Sequence, residues 1–91
     1  MAHVKNYRAI LFSEIEVPTS LQWEEHPSLE ALQKLVGGGL VEVIRTPGLA
    51  QMTLLVNEEG LQKSFTRNLT ASLIAGRHLV GPALLLLFEM E

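Results

Sequence analysis

The feature that most constrains this chain is an apolar segment near its end, where Gly81-Pro82 is followed by the six apolar residues 83–88, ALLLLF. A transmembrane helix needs about twenty such residues, so this run is too short to cross a bilayer. Its Gly-Pro start and charged end are typical of the boundaries of a β-strand. A strand without polar alternation is covered on both faces. We therefore expect residues 83–88 to be central in a sheet or to seal a dimer.

Composition limits the classes of protein to which the chain can belong. Its 91 residues are enough for a single domain spanning residues 1–91, and 47% of them are hydrophobic, as in a folded globule. The absence of cysteine excludes disulfides, thiolate zinc sites and cysteine nucleophiles. The first residues contain no secretory hydrophobic region, and no other stretch is long enough for a membrane helix. We expect a cytoplasmic protein that does not enter a membrane.

Charge is distributed unevenly along the chain. The net charge of −3 argues against general nucleic-acid binding. No acidic residue lies between Glu59 and Glu89, and this interval contains Lys63, Arg67, Arg77 and His78. A solvent-exposed face that balances the neighbouring glutamates is the simpler interpretation. A binding site for an anion is the alternative.

Apolar and turn-forming residues predict the strands. We expect strands at residues 7–12, 15–17, 40–45, 51–57 and 83–88, with a short edge strand at 61–65. Turns are predicted at 46–48 and 57–60, and residues 19–26 are predicted to form an irregular connection. Trp23, within that connection, is expected to cover the edge of the core.

Two short helices are predicted. The first spans residues 27–37, with Ser28 as N-cap and Gly37 as its left-handed end, and buries Leu29, Leu32, Leu35 and Val36. The second spans residues 66–75, is ended by Gly76, and buries Leu69, Leu73 and Ile74. The predicted fold is therefore α+β: one small mixed or antiparallel sheet of about four to five strands with two short helices.

Patterns typical of catalysis are weak in this sequence. Gly37–Gly39 follow a helix and precede a strand, whereas a phosphate-binding loop follows a strand and precedes a helix. No elbow motif surrounds any serine, and adjacent glutamates in a turn do not face each other across a cleft. Three scattered histidines without any aspartate are poor material for a metal site. We expect no enzymatic activity, metal or cofactor.

A ligand-binding candidate remains at the start of the second helix. Residues 63–70, KSFTRNLT, are basic and rich in hydrogen-bond donors, and the amides of a helix N-terminus favour an anion. Thr66 and Asn68 are also plausible helix caps, which is the structural alternative. The candidate ligand-binding residues are Lys63, Arg67, Asn68, Thr70, Arg77 and His78.

Four segments of the chain, taken in order, resemble a known pattern. They are 35–43 (LVGGGLVEV), 55–60 (LVNEEG), Asn68 with Ala71, and 79–84 (LVGPAL). Together they resemble a small domain-of-unknown-function family that is frequent in phages and mobile elements, whose pattern is VGG-x-[IL]-E, NEEG, an Asn…Ala pair and [IV]VGPA. This chain departs from the pattern at Gly39 and Leu40 and in its longer 19–26 connection. The resemblance implies a phage or mobile-element setting, no established activity, and two further polar candidates, Asn57 and Glu58.

These observations favour a non-catalytic binding module, an accessory protein that engages a host or viral macromolecule. The alternative is an oligomeric protein that binds or sequesters a small anionic, nucleotide-like ligand. A domain of this size gains stability from a shared core, so we also expect a homo-oligomer, with a dimer favoured. A host protein and a small anion are the two expected classes of partner.

Overall fold

A computed structural model describes residues 7–13, 17–44, 52–60, 62–63 and 65–88. They form one antiparallel sheet of five strands in the order β2-β1-β5-β4-β3, together with two helices, which confirms the predicted α+β class. The elements are β1 Tyr7–Phe12, β2 Thr19–Trp23, α1 Leu29–Leu35, β3 Val41–Ile44, β4 Met52–Asn57, α2 Leu69–Ala75 and β5 Ala83–Phe88.

The apolar strand β5 lies in the middle of the sheet, as its composition predicts. It pairs with β1 on one side and β4 on the other, and Leu85 lies opposite both Ile10 and Leu54. Alternate side chains along β5 enter two separate cores, Leu85 on one face and Leu84 and Leu86 on the other. The chain's own helices contribute to both cores, so the burial of β5 does not require a second copy.

The helix α1 covers one face of the sheet. Ser28 Oγ accepts a hydrogen bond from the Ala31 amide over 3.1 Å, which confirms the predicted N-cap. Leu32 and Val36 are buried against Leu84 and Leu86. The prediction for Leu29 was wrong, because this residue lies in the first turn on the exposed side of the helix. Gly37 follows the helix with φ of +99°, as expected for its left-handed end.

The helix α2 covers the opposite face and differs from its prediction. It begins after Asn68 rather than at residue 66, and Gly76 ends it with φ of +71°. Ile74 packs against the core as predicted, but Leu69 and Leu73 are 58% and 74% exposed. The face turned inward carries Ala71 and Ser72, both buried. Ala71 packs in the core, and Ser72 Oγ accepts from the Leu79 amide over 2.8 Å and donates to the Leu79 carbonyl over 3.2 Å. The buried face is therefore fixed by these contacts, and Leu69 and Leu73 lie on the outer side of the helix.

The prediction for β2, at one edge of the sheet, was wrong. Residues 19–23 form β2 rather than a connection, and Leu21 and Trp23 pack against the α1-side core, so Trp23 covers the core edge as expected. Of the strand predicted at 15–17, residues 15 and 16 lie outside the described residues, and Val17 is exposed and not in a strand.

The predicted edge strand at 61–65 was also misplaced. Residues 61 and 64 lie outside the described residues, residues 62–63 form a turn, and Phe65 is not in a strand. An isolated bridge between Arg67 and Val80 follows instead. The turn predicted at 46–48 lies outside the described residues, although β3 and β4, on either side of it, pair as expected.

Candidate functional site

Two of the segments that carry the family resemblance, those of Gly37 and Gly81, meet at the ring of Phe65. Gly37 and Gly81 both have positive φ, +99° and +77°, and both lie against this ring. A Cβ on Gly37 would stand 2.8 Å from Phe65 Cζ, and a Cβ on Gly81 would collide with the Phe65 ring. Gly60 is packed in the same way against Val80, whose Cγ2 lies 2.9 Å from the position of a Cβ. Close packing against Phe65 and Val80 therefore leaves no room for a side chain at these three glycines.

Asn57 ties the end of α1 to the turn after β4. Its side-chain amide donates to the carbonyl oxygen of Val36 over 3.1 Å and to that of Gly38, and its Oδ1 accepts from the Glu59 amide over 2.8 Å. The residue is 4% exposed. All of these bonds are internal to the fold, so they account for an asparagine at this position structurally.

Asn68 has a comparable role at the start of α2. Its Oδ1 accepts from the Ala71 amide over 3.1 Å, which makes it the N-cap, and the residue is 1% exposed. Its Nδ2 donates to the carbonyls of Phe12 and Gly81, each over 2.8 Å. The capping alternative raised by the sequence therefore describes the position of Asn68 well, and its amide is engaged inside the protein.

The basic candidates do not form a single cluster. Lys63 Nζ donates to the Gly38 carbonyl over 3.0 Å, so its ammonium group lies on the glycine loop after α1. Arg67 forms the isolated bridge with Val80, and Thr70 is exposed in the first turn of α2. Only Arg77 and His78, which follow α2, lie in the same cleft, and Glu58 of the family pattern joins them there.

This cleft, about 210 Å³ in volume, opens between the β3–β4 edge of the sheet and the segment that follows α2. We call it the edge cleft. Its charged lining consists of Glu42 and Glu58 from the sheet side and Arg77 and His78 from the helix side. Its other lining residues are Val56, Asn57, Gly60, Gln62, Leu79 and Val80. A cleft with two carboxylates beside an arginine is suited to mixed polar contacts more than to holding a bare anion.

The strand beside the edge cleft has outward-pointing backbone groups. The Glu58 amide donates to the Leu40 carbonyl over 2.9 Å, so this opposed pair is hydrogen-bonded. Hydrogen-bonded and non-hydrogen-bonded pairs alternate along an antiparallel ladder. Since Leu40 is in a hydrogen-bonded pair, Val41 and Val43 are in non-hydrogen-bonded pairs, and their N–H and C=O groups point away from β4. Within the part of the chain that the structure describes, no strand pairs with this side of β3.

Apolar side chains flank the same edge. Leu40 and Val43 are each 59% exposed, and Val43 lies on the α1 side of the sheet, opposite in face to Glu42. The edge of β3 thus combines outward-pointing backbone groups, an apolar face and an acidic face. A second protein could use each of these features.

Comparison with known proteins gives a family but no activity. A family model described as "Domain of unknown function (DUF3846)" matches residues 7–89. The chain belongs to this family. No curated protein and no solved structure matches this DUF3846 domain.

Two further properties of the DUF3846 domain concern metals and membranes. Among its described residues there is no group of three or more histidine, aspartate or glutamate side chains that could hold a metal ion. None of the helices described for it has the length and apolar character needed to span a membrane.

Sequence reasoning missed Glu42 as a residue of the site in this DUF3846 domain. Glu42 lies opposite Val56, and Glu58 lies two positions after Val56, so Glu42 and Glu58 are on the same face of the sheet. The alternation of side chains along the predicted strand was the signal in the sequence that could have indicated this. Arg77 and His78 were named as candidates, but the sequence does not place them across a cleft from these two glutamates.

Proposed function

We propose that this chain is a non-catalytic binding module that engages another protein through the edge of β3. The observation that carries the proposal is this edge itself, where the backbone groups of Val41 and Val43 point outward between exposed apolar side chains. A free sheet edge is a template on which an extended segment of a partner can add a strand. Main-chain hydrogen bonds then supply affinity, and alternate side chains supply specificity.

The biological setting is part of the same proposal. We infer an accessory role in a phage or mobile element, acting in the cytoplasm on a host or viral macromolecule. The setting rests only on the resemblance drawn from the sequence, and the cytoplasmic location is likewise the expectation from the sequence. No catalytic step is proposed.

A proline substitution tests whether the edge of β3 binds protein. Proline is accepted in an edge strand where its missing N–H would have faced solvent, and Val43 occupies such a position. Val43→Pro removes one outward donor and blocks the edge, whereas Val43→Ala shortens the side chain and keeps the donor. The tagged wild type and both variants are used to capture partners from the native host, with mass spectrometry as readout and melting temperature as the check on folding.

The proposal predicts a partner that the wild type and Val43→Ala retain and Val43→Pro loses. If every partner is retained equally by all three folded proteins, the edge of β3 is not the binding surface. A stoichiometric small molecule that co-purifies, without any protein lost in Val43→Pro, would also overturn the proposal and favour the alternative.

The alternative is the binding of a small anionic, nucleotide-like ligand in the edge cleft. It is favoured by the presence of Arg77 and His78 in one lining, since arginine forms strong charge-assisted bonds with phosphate. Glu42 and Glu58 in the same lining weaken it, because carboxylates repel an anion.

Thermal shift with mono-, di- and cyclic nucleotides tests this alternative. A ligand that binds the native state raises its melting temperature by mass action. A shift in the wild type that is lost in Arg77→Ala and kept in Arg67→Ala would place the ligand in the cleft. If no nucleotide shifts the wild type, or if Arg77→Ala responds equally, the alternative is wrong.

Self-association, with a dimer favoured, also remains a proposal. The outward pair Leu69 and Leu73, one turn apart on α2, is an apolar surface that a two-fold axis could pair with its own copy. Sedimentation of the wild type should then show a dimer that Leu73→Lys dissociates. A 10.1 kDa species alone at micromolar concentration would contradict it.

A further inference from the structure

The charge on β3 restricts what can pair with its free edge. Glu42 projects from β3 into the edge cleft, on the same face as Glu58. With His78 counted as neutral, two carboxylates and one guanidinium give the cleft lining a formal charge of −1 (+1 − 2). Any strand added at this edge therefore places one residue directly beside a carboxylate in an acidic surrounding.

Glu42 also opposes one way in which a second copy of β3 could pair with this edge. If two copies pair antiparallel about a two-fold axis so that Val41 bonds Val43 of the other copy and the reverse, Glu42 lies opposite its own counterpart. Directly opposed side chains in such a pair have their Cβ atoms about 4.5–5.5 Å apart, and like charges at that distance destabilise the pairing. The pattern VEVI thus acts against this register of edge-to-edge pairing with a second copy.

The same geometry selects a partner of opposite charge. We propose that the edge of β3 binds an extended segment with an apolar–basic–apolar pattern, in which lysine or arginine lies opposite Glu42. This inference rests on the proposed function. The two neighbours of the basic residue point to the other face of the sheet, where they lie beside Val41 and Val43. Their apolar side chains cover Val43, which is largely exposed in the free chain.

Arg77 and His78 do not remove this preference. They enter the cleft from the segment after α2, together with Leu79 and Val80, on the side of the cleft away from the free edge of β3. An added strand lies on the side of β3 that faces away from β4. Glu42 is its directly opposed neighbour, and cross-strand opposition is the strongest side-chain contact in a sheet.

Synthetic peptides with a charge reversal test the inference. The probe has the sequence Thr-Val-Lys-Val-Thr with neutral capped ends, and matched probes carry glutamate or serine in place of the lysine. Binding to the wild type and to Glu42→Lys is measured by fluorescence polarisation at low salt and at high salt. The lysine probe should bind the wild type at least about threefold more tightly than the glutamate probe, and Glu42→Lys should reverse this order. High salt should reduce both preferences.

The outcomes separate this inference from the proposed function. Equal binding of the lysine, serine and glutamate probes, lost in Val43→Pro, would retain the edge as the binding surface and overturn the basic pattern. Binding of no probe, together with a partner captured through the edge, would overturn the pattern in the same way. A dimer that Val43→Pro dissociates, without binding of any probe, would show that the edge accepts a second copy and would overturn the inference.

Discussion

The side-chain amide of Asn68 donates to the backbone carbonyl of Gly81 over 2.8 Å. This bond joins the N-terminus of α2 to the turn that begins the central strand β5. The same nitrogen also donates to the Phe12 carbonyl at the end of β1. One buried amide therefore connects three elements that are distant in the sequence, and the stability of the fold should depend on it.

Asn68→Ala should lower the free energy of unfolding by about 2–4 kcal/mol. The change removes a helix N-cap, which costs about 1 kcal/mol, and leaves two carbonyl groups without this donor, at about 1–3 kcal/mol for a buried group. Urea denaturation measures the loss. Thr70→Ala, an exposed change in the same helical turn, is the control and should stay within about 0.5 kcal/mol of the wild type. Equal stability of both variants would contradict the structural role of Asn68.

Gly81→Ala should be more destabilising than Gly76→Ala. Both glycines have positive φ, +77° and +71°, so both changes carry a backbone cost of about 1–2 kcal/mol. A Cβ on Gly76 meets nothing within 4 Å, whereas a Cβ on Gly81 collides with Phe65. We expect an additional cost of about 1 kcal/mol or more for Gly81→Ala, which Phe65→Ala should partly relieve in a double-mutant cycle. Equal costs at both glycines would show that the ring moves aside freely.

Leu85→Ala and Leu86→Ala should each cost about 2–5 kcal/mol, although the two side chains enter different cores. Both residues are buried in the strand at the centre of the sheet. Native-state hydrogen exchange provides a second measurement, because the amides of β5 should be among the slowest to exchange. Rapid exchange through residues 83–87 would be inconsistent with a central β5.

Leu73→Ala should leave stability within about 0.5 kcal/mol of the wild type, whereas Ile74→Ala, its neighbour, should cost about 1 kcal/mol or more. Leu73 is exposed, and Ile74 packs against the α2-side core. Thermal denaturation at several protein concentrations compares the two variants, because any contribution from self-association through Leu73 would appear as a dependence on concentration. A larger loss for Leu73→Ala would mean that α2 is rotated relative to the described packing.

The contrast between the predictions for the apolar strands β1 and β5 and for β2 follows from how these strands are buried. β1 and β5 are adjacent at the centre, and both were predicted with their observed bounds because the runs YRAILF and ALLLLF are rich in apolar residues. β2, at the edge, has the polar sequence TSLQW, in which only Leu21 and Trp23 face the core. Two apolar residues in an alternating pattern are a weak indication of a strand, and the polar sequence around them predicts a connection instead.

The candidate site was predicted only in part for a different reason. Arg77, His78 and Glu58 were named from the sequence, but their meeting with Glu42 depends on the register of β3 and β4 and on where the segment after α2 crosses the sheet. The asparagines named beside them are held by hydrogen bonds inside the fold. Sequence identifies polar residues in turns and caps, but it does not say whether a side chain faces the backbone or a cleft.

By itself, the sequence determined the α+β class, a fully apolar strand at residues 83–88 and Ser28 as the N-cap of α1, because these depend on local composition. The structure decided that the strand is central and that Asn68, rather than Thr66, caps α2. The tertiary structure alone decided which face of α2 is buried. Leucines are more hydrophobic than Ala71 and Ser72, yet Ala71 packs in the core and Ser72 is held by hydrogen bonds to the Leu79 backbone, which leaves Leu69 and Leu73 on the outer side. It alone also decided that Glu42 shares a cleft with Arg77, since the register of β3 on β4 places Glu42 and the path of the segment after α2 places Arg77.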